Sequence, residues 1–242
     1  MRFKVLTLFP DIIESFKQHS IIKRAIEADK IDVDIIDYRN YTTNKHMKVD
    51  DTPYGGGNGM VLSVQPIDAA LKANKSDKSK VILLCPTGKP FKQEDANALA
   101  KEEELIFVCG HYEGYDERIR DYVDYEYSIG DYVLTSGELS SMIMMDAIGR
   151  LVDGVIEAKS HEEDSFQNGL LEYPQYTKPQ EYDWKKVPEV LVNGHHAKID
   201  EYRLRESIIK TAKNRPDLLE NKELSKEIKN KIKELKDEGL ID

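Results

Sequence analysis

The sequence predicts an α/β domain built on a largely parallel sheet with helices on both sides, followed by a small helical C-terminal domain. Three observations carry this prediction. Short apolar runs alternate with helix-like stretches through the first two-thirds of the chain, as in successive βαβ units. The alternation stops after Val155. From Glu189 the chain turns helical again, now lysine-rich and amphipathic.

Taken in order, RFKVLTLF reads as the first strand, and residues 11–28 as a helix with Asp11 as its cap after Pro10. IDVDIIDY reads as a second strand. Residues 39–60 lack periodicity and contain Pro53 and a glycine cluster, so they form a long loop. A short helix over 65–73 opens with proline. VILLC is then a strand, 93–104 a helix, LIFVC a strand, 116–122 a short helix and YEYSIG a short strand. Residues 138–151 are apolar on nearly all sides, hence a buried helix. Residues 159–179 are polar and contain Gly169, Pro174 and Pro179, which marks a linker. Helices follow over 199–213 and 221–239. These readings place one domain at 1–159, a linker at 160–175 and a second domain at 176–242.

Composition sets outer bounds. The chain is 40% hydrophobic and 33% charged, an ordinary globular mixture. It has no apolar run long enough for a membrane span, and its first ten residues read as a strand rather than a secretory signal. A cytoplasmic protein is expected. Cys85 and Cys109 sit in apolar runs with no CxxC spacing, so buried free thiols are expected and a metal site is not. The net charge is −10, but it is unevenly spread. Residues 176–242 carry 15 basic and 14 acidic side chains, against 20 and 31 before them. Any RNA partner would be held by local patches rather than by a global field.

Common cofactor signatures are missing. The turn after the first strand has no GxGxxG, TGK at 87–89 lacks the upstream glycine of a phosphate loop, and neither HExxH nor GxSxG occurs. Three glycine-bearing loops stand instead at strand ends: LLCPTGKPF (83–91), CGHYEGYDER (109–118) and SIGDYVLTSGE (128–138). Strand carboxyl ends are where open α/β sheets bind ligands, and glycines there let main-chain groups approach one closely. Tyr112 and Tyr132 could offer faces to an adenine or a sulfonium. The three loops make one pocket if their strands are neighbours; taken singly, each is equally a plain turn.

GHYEGYDER followed by YSIGDYVLTSGEL, together with FKVLTLFPDII, PYGGGNGMV, EEDSFQNGLLEYPQYTKP and NGHHAKIDEYRL, resembles the bacterial tRNA (guanine-N1)-methyltransferases. The motifs run in the family's order over nearly the whole length. The resemblance implies a SPOUT fold whose sheet carries a deep trefoil knot, a rarity among proteins. It implies S-adenosylmethionine as methyl donor, bound in the knot by Leu84 and Pro86 of the first loop. In the second loop it points to Gly110, Tyr112, Glu113 and Gly114. In the third it points to Ser128, Ile129, Gly130, Tyr132, Leu134, Gly137 and Ser140. The family pattern usually has Arg at His111, Gly at Ser136 and Pro at Ser140, so the chain departs from it at three positions.

The resemblance also implies the chemistry. N1 of neutral guanine carries a proton, so a base must remove it and a positive group should face O6. Asp164 matches the family's catalytic aspartate and Arg150 its catalytic arginine. On residue pattern alone, a helix cap is the favoured reading of Asp164 and a helix-end cation that of Arg150; the matched motif reverses that order. The implied substrate is the guanine immediately 3′ of the anticodon, in a tRNA gripped by its anticodon stem-loop through the C-terminal domain. Lys185, Lys186, His195, His196, Lys198, Arg203 and Arg205 are candidate contacts there. A homodimer with active sites shared between subunits and a dependence on Mg2+ are implied as well. Two other classes stay open: a related enzyme acting on ribose or another RNA site, and an α/β protein that holds a nucleotide without chemistry.

Overall fold

The computed structural model describes residues 1–157, 161, 163–220 and 223–241. Its contacts divide into two compact units, Met1–Glu157 and Ala158–Asp242. The boundary expected between residues 159 and 160 lies outside the described residues.

The first unit is a five-stranded parallel sheet in the order β2-β1-β6-β5-β7. Its strands are β1 (Arg2–Thr7), β2 (Asp32–Asp37), β5 (Ser79–Pro90), β6 (Glu104–Val108) and β7 (Tyr125–Ser128). β6 and the VILLC stretch of β5 read as nearly unbroken apolar runs because both faces of a parallel sheet are covered. One face packs against α1 (Pro10–Lys17), α2 (Ser20–Glu27), α4 (Gln93–Leu99) and α5 (Glu138–Gly149), around Phe3, Val5, Ile82, Phe107 and Ile148. The other packs against α3 (Val64–Asn74) and two short 3-10 helices, Tyr38–Tyr41 and Glu117–Tyr122, around Leu6, Leu83, Ile106 and Val108. β3 (Asp50–Asp51) and β4 (Val61–Leu62) form a small antiparallel pair within the long loop.

The single helix expected over 11–28 is two. Ser20 takes a positive φ of 56°, and the chain breaks between Lys17 and Ser20. At about 100° per residue, one continuous helix would put Ile13 and Ile22 on opposite faces. The break lets both pack against the sheet, where they are 0% and 3% exposed. Asp11 is not the cap; Phe9 holds that position, Pro10 begins the helix and Asp11 lies in its first turn. α4 ends at Leu99, so Glu104 opens a strand instead of closing a helix.

Within β5 the pairing with β7 jumps. Leu84 and Lys89 both face Tyr127, so residues 85–88 loop out of the sheet between them. This excursion is the first of the three strand-end loops.

The second unit has a core of its own, formed by Leu170, Ile208, Leu224, Ile228 and Leu235. Its helices are α6 (His196–Asn214) and α7 (Lys226–Asp237), and a two-stranded hairpin joins β8 (Glu181–Tyr182) to β9 (Lys185–Lys186). The expected linker over 160–175 is therefore not all peripheral. Leu170 is fully buried, and the Leu171 amide donates to the Thr211 hydroxyl at 2.9 Å. Among the described residues, no helix is long and apolar enough to cross a membrane.

Candidate functional site

β6 lies on one side of β5 and β7 on the other, so the carboxyl ends of three adjacent strands deliver three loops to one edge of the sheet. Together they enclose a cavity of about 460 Å³. Leu84 and Pro86 line it from the first loop, and Gly110, Tyr112, Glu113 and Gly114 from the second. Ser128, Ile129, Gly130, Tyr132, Leu134, Gly137 and Ser140 line it from the third. His111 and Ser136, two of the three departures from the family pattern, line it too.

The loops hold one another through main-chain contacts. The Gly137 amide donates to the Gly110 carbonyl at 2.9 Å, and His111 bridges to Ser136. A Cβ on Gly137 would sit 2.8 Å from the Cys109 Cα, and one on Gly88 would sit 2.6 Å from the Tyr127 amide nitrogen. These two glycines admit neighbouring chain, a role distinct from admitting a ligand. Ordered turns shape the third loop: Tyr132 N–H donates to the Gly130 carbonyl at 2.9 Å, and the Tyr132 hydroxyl donates to the Ile129 carbonyl at 3.2 Å. The second loop is pinned from the glycine-rich segment, where the Glu113 amide donates to the Met60 carbonyl at 3.0 Å and the Leu62 amide to the Gly114 carbonyl at 2.9 Å.

Some cavity residues escaped the sequence reading. The Tyr115 hydroxyl donates to the carbonyls of Val108 at 2.8 Å and Leu84 at 3.2 Å, tying the ends of β6 and β5 together. Burial pushes its pKa well up, so it stays a neutral donor. Its position inside GHYEGYDER was the only signal. Arg120 reaches Glu126, Glu117 at 2.8 Å and the Thr87 hydroxyl at 3.1 Å; nothing in its local pattern marked it. Cys109 is buried, with its thiol pKa pushed up by that burial and then by nearby Glu138. Cys85, expected to be buried, is only partly so and lies in the cavity wall, because its segment loops out of the sheet.

Neither catalytic candidate is among the residues that line this cavity. Arg150 is the C-cap of α5 and is not among the lining residues. Ten residues of helix separate it from Ser140, about 15 Å along the axis. Asp164 belongs to the second unit, in a turn where its amide donates to the His161 carbonyl and its carbonyl accepts from the Gln167 amide. Among the described residues no helix begins directly after Asp164; the next is the single turn Glu189–Leu191, so Asp164 does not serve there as an N-cap. In α6, Arg203 lies 4.7 Å from the Tyr173 ring centroid and Arg205 pairs with Glu206 at 3.0 Å. No group of three potential metal ligands occurs among the described residues.

The profile of the family described as tRNA (Guanine-1)-methyltransferase TrmD matches residues 1–221. A protein of Clostridium botulinum strain Hall, named tRNA (guanine-N(1)-)-methyltransferase, is 55% identical over 97% of this chain and 98% of its own length. Proteins of the same name from Desulforamulus reducens and Mycoplasma mycoides are each 51% identical. They cover 97% and 93% of this chain, and 95% of their own lengths.

Proposed function

The chain belongs to the tRNA (guanine-1)-methyltransferase family, and from that premise we propose where its methyl group comes from and where it goes. The donor is S-adenosylmethionine, held in the cavity of the first unit. The acceptor is N1 of the guanine immediately 3′ of the anticodon in tRNA. The observation that carries this reading is the meeting of three neighbouring strand-end loops around one cavity, joined to a family match that spans both units.

The cavity suits such a donor. Its volume of about 460 Å³ falls in the range of small-molecule sites, roughly 300–1,000 Å³. Leu84, Pro86, Ile129 and Leu134 supply apolar walls, and the half-exposed rings of Tyr112 and Tyr132 supply faces for an adenine. Glu113 offers a carboxylate to positive charge, and Gly114, where a Cβ would meet nothing within 4 Å, keeps the wall beside it open. When bound, the sulfonium supplies a methyl group that needs no further activation. The chain's own residues must then prepare the nucleophile. Asp164 takes the N1 proton as general base, and Arg150 faces O6, where negative charge collects as that proton leaves.

An isologous homodimer with shared sites is part of this proposal. Leu139 and Ile143 lie four residues apart on α5 and are 48% and 49% exposed. Beside them is a groove between α1 and α5 lined by Ile12, Phe16 and Met142. A second copy would cover this apolar surface and add its groups to a cavity whose lining includes neither Arg150 nor Asp164 of the same chain. The proposal also includes a deep trefoil knot. The excursion at 85–88, the crossing of β7 beyond β5 and the close passage of Gly137 against Cys109 support it. Residues 176–242 would form the tRNA-binding domain, reached through the 160–175 segment that carries Asp164. The reaction would take place in the cytoplasm; the Mg2+ dependence that the family implies has no group of three potential ligands among the described residues to hold the ion.

The test uses labelled S-adenosylmethionine with anticodon stem-loops. A stem-loop with guanine 3′ of the anticodon should be labelled at N1, and one with adenine there should not, because base readout is expected in a splayed loop. Equal labelling of both, or label on ribose, would remove this reading.

A further inference from the structure

The second unit carries an exposed aromatic turn that the chemistry above does not use. In the hairpin, Glu181 pairs with Lys186 and Tyr182 with Lys185, and Asp183 and Trp184 close the turn. Both closing residues have positive φ, 48° and 63°, as the two-residue turn that matches strand twist requires. That geometry favours Asn or Asp first and glycine second. Asp183 conforms. Trp184 does not, since a bulky side chain is strained in the left-handed region. Packing does not offset the strain: Trp184 is 90% exposed and Tyr182 75%. Strain retained without burial points to a use for the side chain.

The pairing also sorts charge by face. Lys186 meets Glu181 at 3.6 Å. Lys185, directly across from Tyr182, makes no ion pair among the described residues. The tip therefore displays two aromatic rings and an ammonium without an acidic partner. Planar rings beside a free cation are the combination that holds an unpaired nucleotide, by stacking on the base and by attraction of its phosphate.

Resting on the tRNA reading above, we propose that Trp184 and Tyr182 form a stacking site for an unpaired base of the bound tRNA, with Lys185 against the adjoining phosphate. The ligand class is a single-stranded or flipped-out nucleotide, and the site is tolerant of base identity because every base has a π face.

Trp184 is the only tryptophan in the chain, so its fluorescence reports this position alone. Titration of the full-length protein with substrate tRNA should quench it, and S-adenosylmethionine alone should not. Trp184→Gly places the favoured residue in the turn, so its thermal midpoint should equal or exceed that of the wild type. Its tRNA affinity should nevertheless fall roughly fivefold to a hundredfold, the range for loss of one stacked base, and Trp184→Phe should recover most of it. Fluorescence unmoved by saturating tRNA, or wild-type affinity in Trp184→Gly, overturns the site while methyl transfer continues. Quenching that follows protein concentration without RNA marks a contact between copies and also overturns it. Wild-type protein that transfers no methyl group to any tRNA overturns the activity, and this site with it, so the two failures are distinguishable.

Discussion

The two units solve different problems with different materials. Met1–Glu157 buries three central strands on both faces and closes its cavity with chain packed on chain, at distances that leave no room for a Cβ on Gly88 or Gly137. Ala158–Asp242 has a small apolar core and keeps its aromatic and basic groups outside, with Tyr182, Trp184 and most of its lysines exposed. The charge divides the same way, since the acidity lies before residue 176 and the remainder is near neutral. A cavity for a small donor needs walls that do not move. A surface for a large anionic partner needs groups that reach outward. The difference teaches that donor binding should be sensitive to steric change in the first unit, whereas the second should tolerate such change and respond to lost contacts.

The largest expected effect tests the proposal that Asp164 of the second unit acts in the chemistry. Asp164→Asn should lower single-turnover methyl transfer on the order of 10²- to 10⁴-fold, because an amide cannot accept the N1 proton. Donor affinity, which the proposal assigns to the first unit's cavity, should be unchanged by calorimetry. A near-normal rate would remove Asp164 from the chemistry. The same variant tests the shared site. Mixed with a blocked cavity such as Gly130→Trp and allowed to exchange subunits, it should restore roughly a quarter of wild-type activity, since half the dimers are mixed and each has one good site. Exchanged mixtures that stay inactive would place each site within a single chain.

A smaller effect sharpens the steric contrast. Gly137→Ala puts a methyl group 2.8 Å from backbone that cannot rotate away. It should cost about 1–3 kcal/mol of stability, as overpacking does, and weaken donor binding. Gly194→Ala in the second unit meets nothing within 4 Å, although its φ is +66°. It should cost about 1 kcal/mol through that backbone preference alone, with donor affinity intact. Equal losses of donor affinity in the two variants would erase the contrast.

The smallest effect concerns the first unit's scaffold far from the cavity. Burial alone would raise the Glu104 carboxyl pKa, but hydrogen bonds from Ser79 and Lys4 bring it below its ordinary 4.5. Lys4 Nζ lies 2.9 Å from Glu104. A lowered carboxyl pKa stabilises the fold above the unfolded value, and that contribution is lost as pH falls through the folded one. Unfolding midpoints should therefore drop on acidification below about 4.5, and Glu104→Gln should flatten that part of the profile. An unchanged acid limb in the variant would assign the loss to other carboxylates.

The apolar runs of the central strands, the three glycine-bearing loops at strand ends and the all-round apolar α5 were legible in the sequence because each follows from local periodicity or local chain freedom. Every loop residue carried over for donor binding lies on one cavity wall, yet no periodicity could say that β5 would stand between β6 and β7. Strand order depends on long-range burial, and the same alternation of strands and helices is compatible with several orders. The helix break at Ser20 was also out of reach, since it is imposed by the need to turn both Ile13 and Ile22 toward the sheet. So was Leu170, one apolar residue in a polar stretch, whose burial depends on α6 and α7 arriving around it. Gly88 and Gly137 show the boundary most clearly. Sequence alone determined that the chain could bend and approach something closely at those points; only the tertiary structure decided that the something was its own backbone, because the absence of a side chain permits contact without selecting the partner.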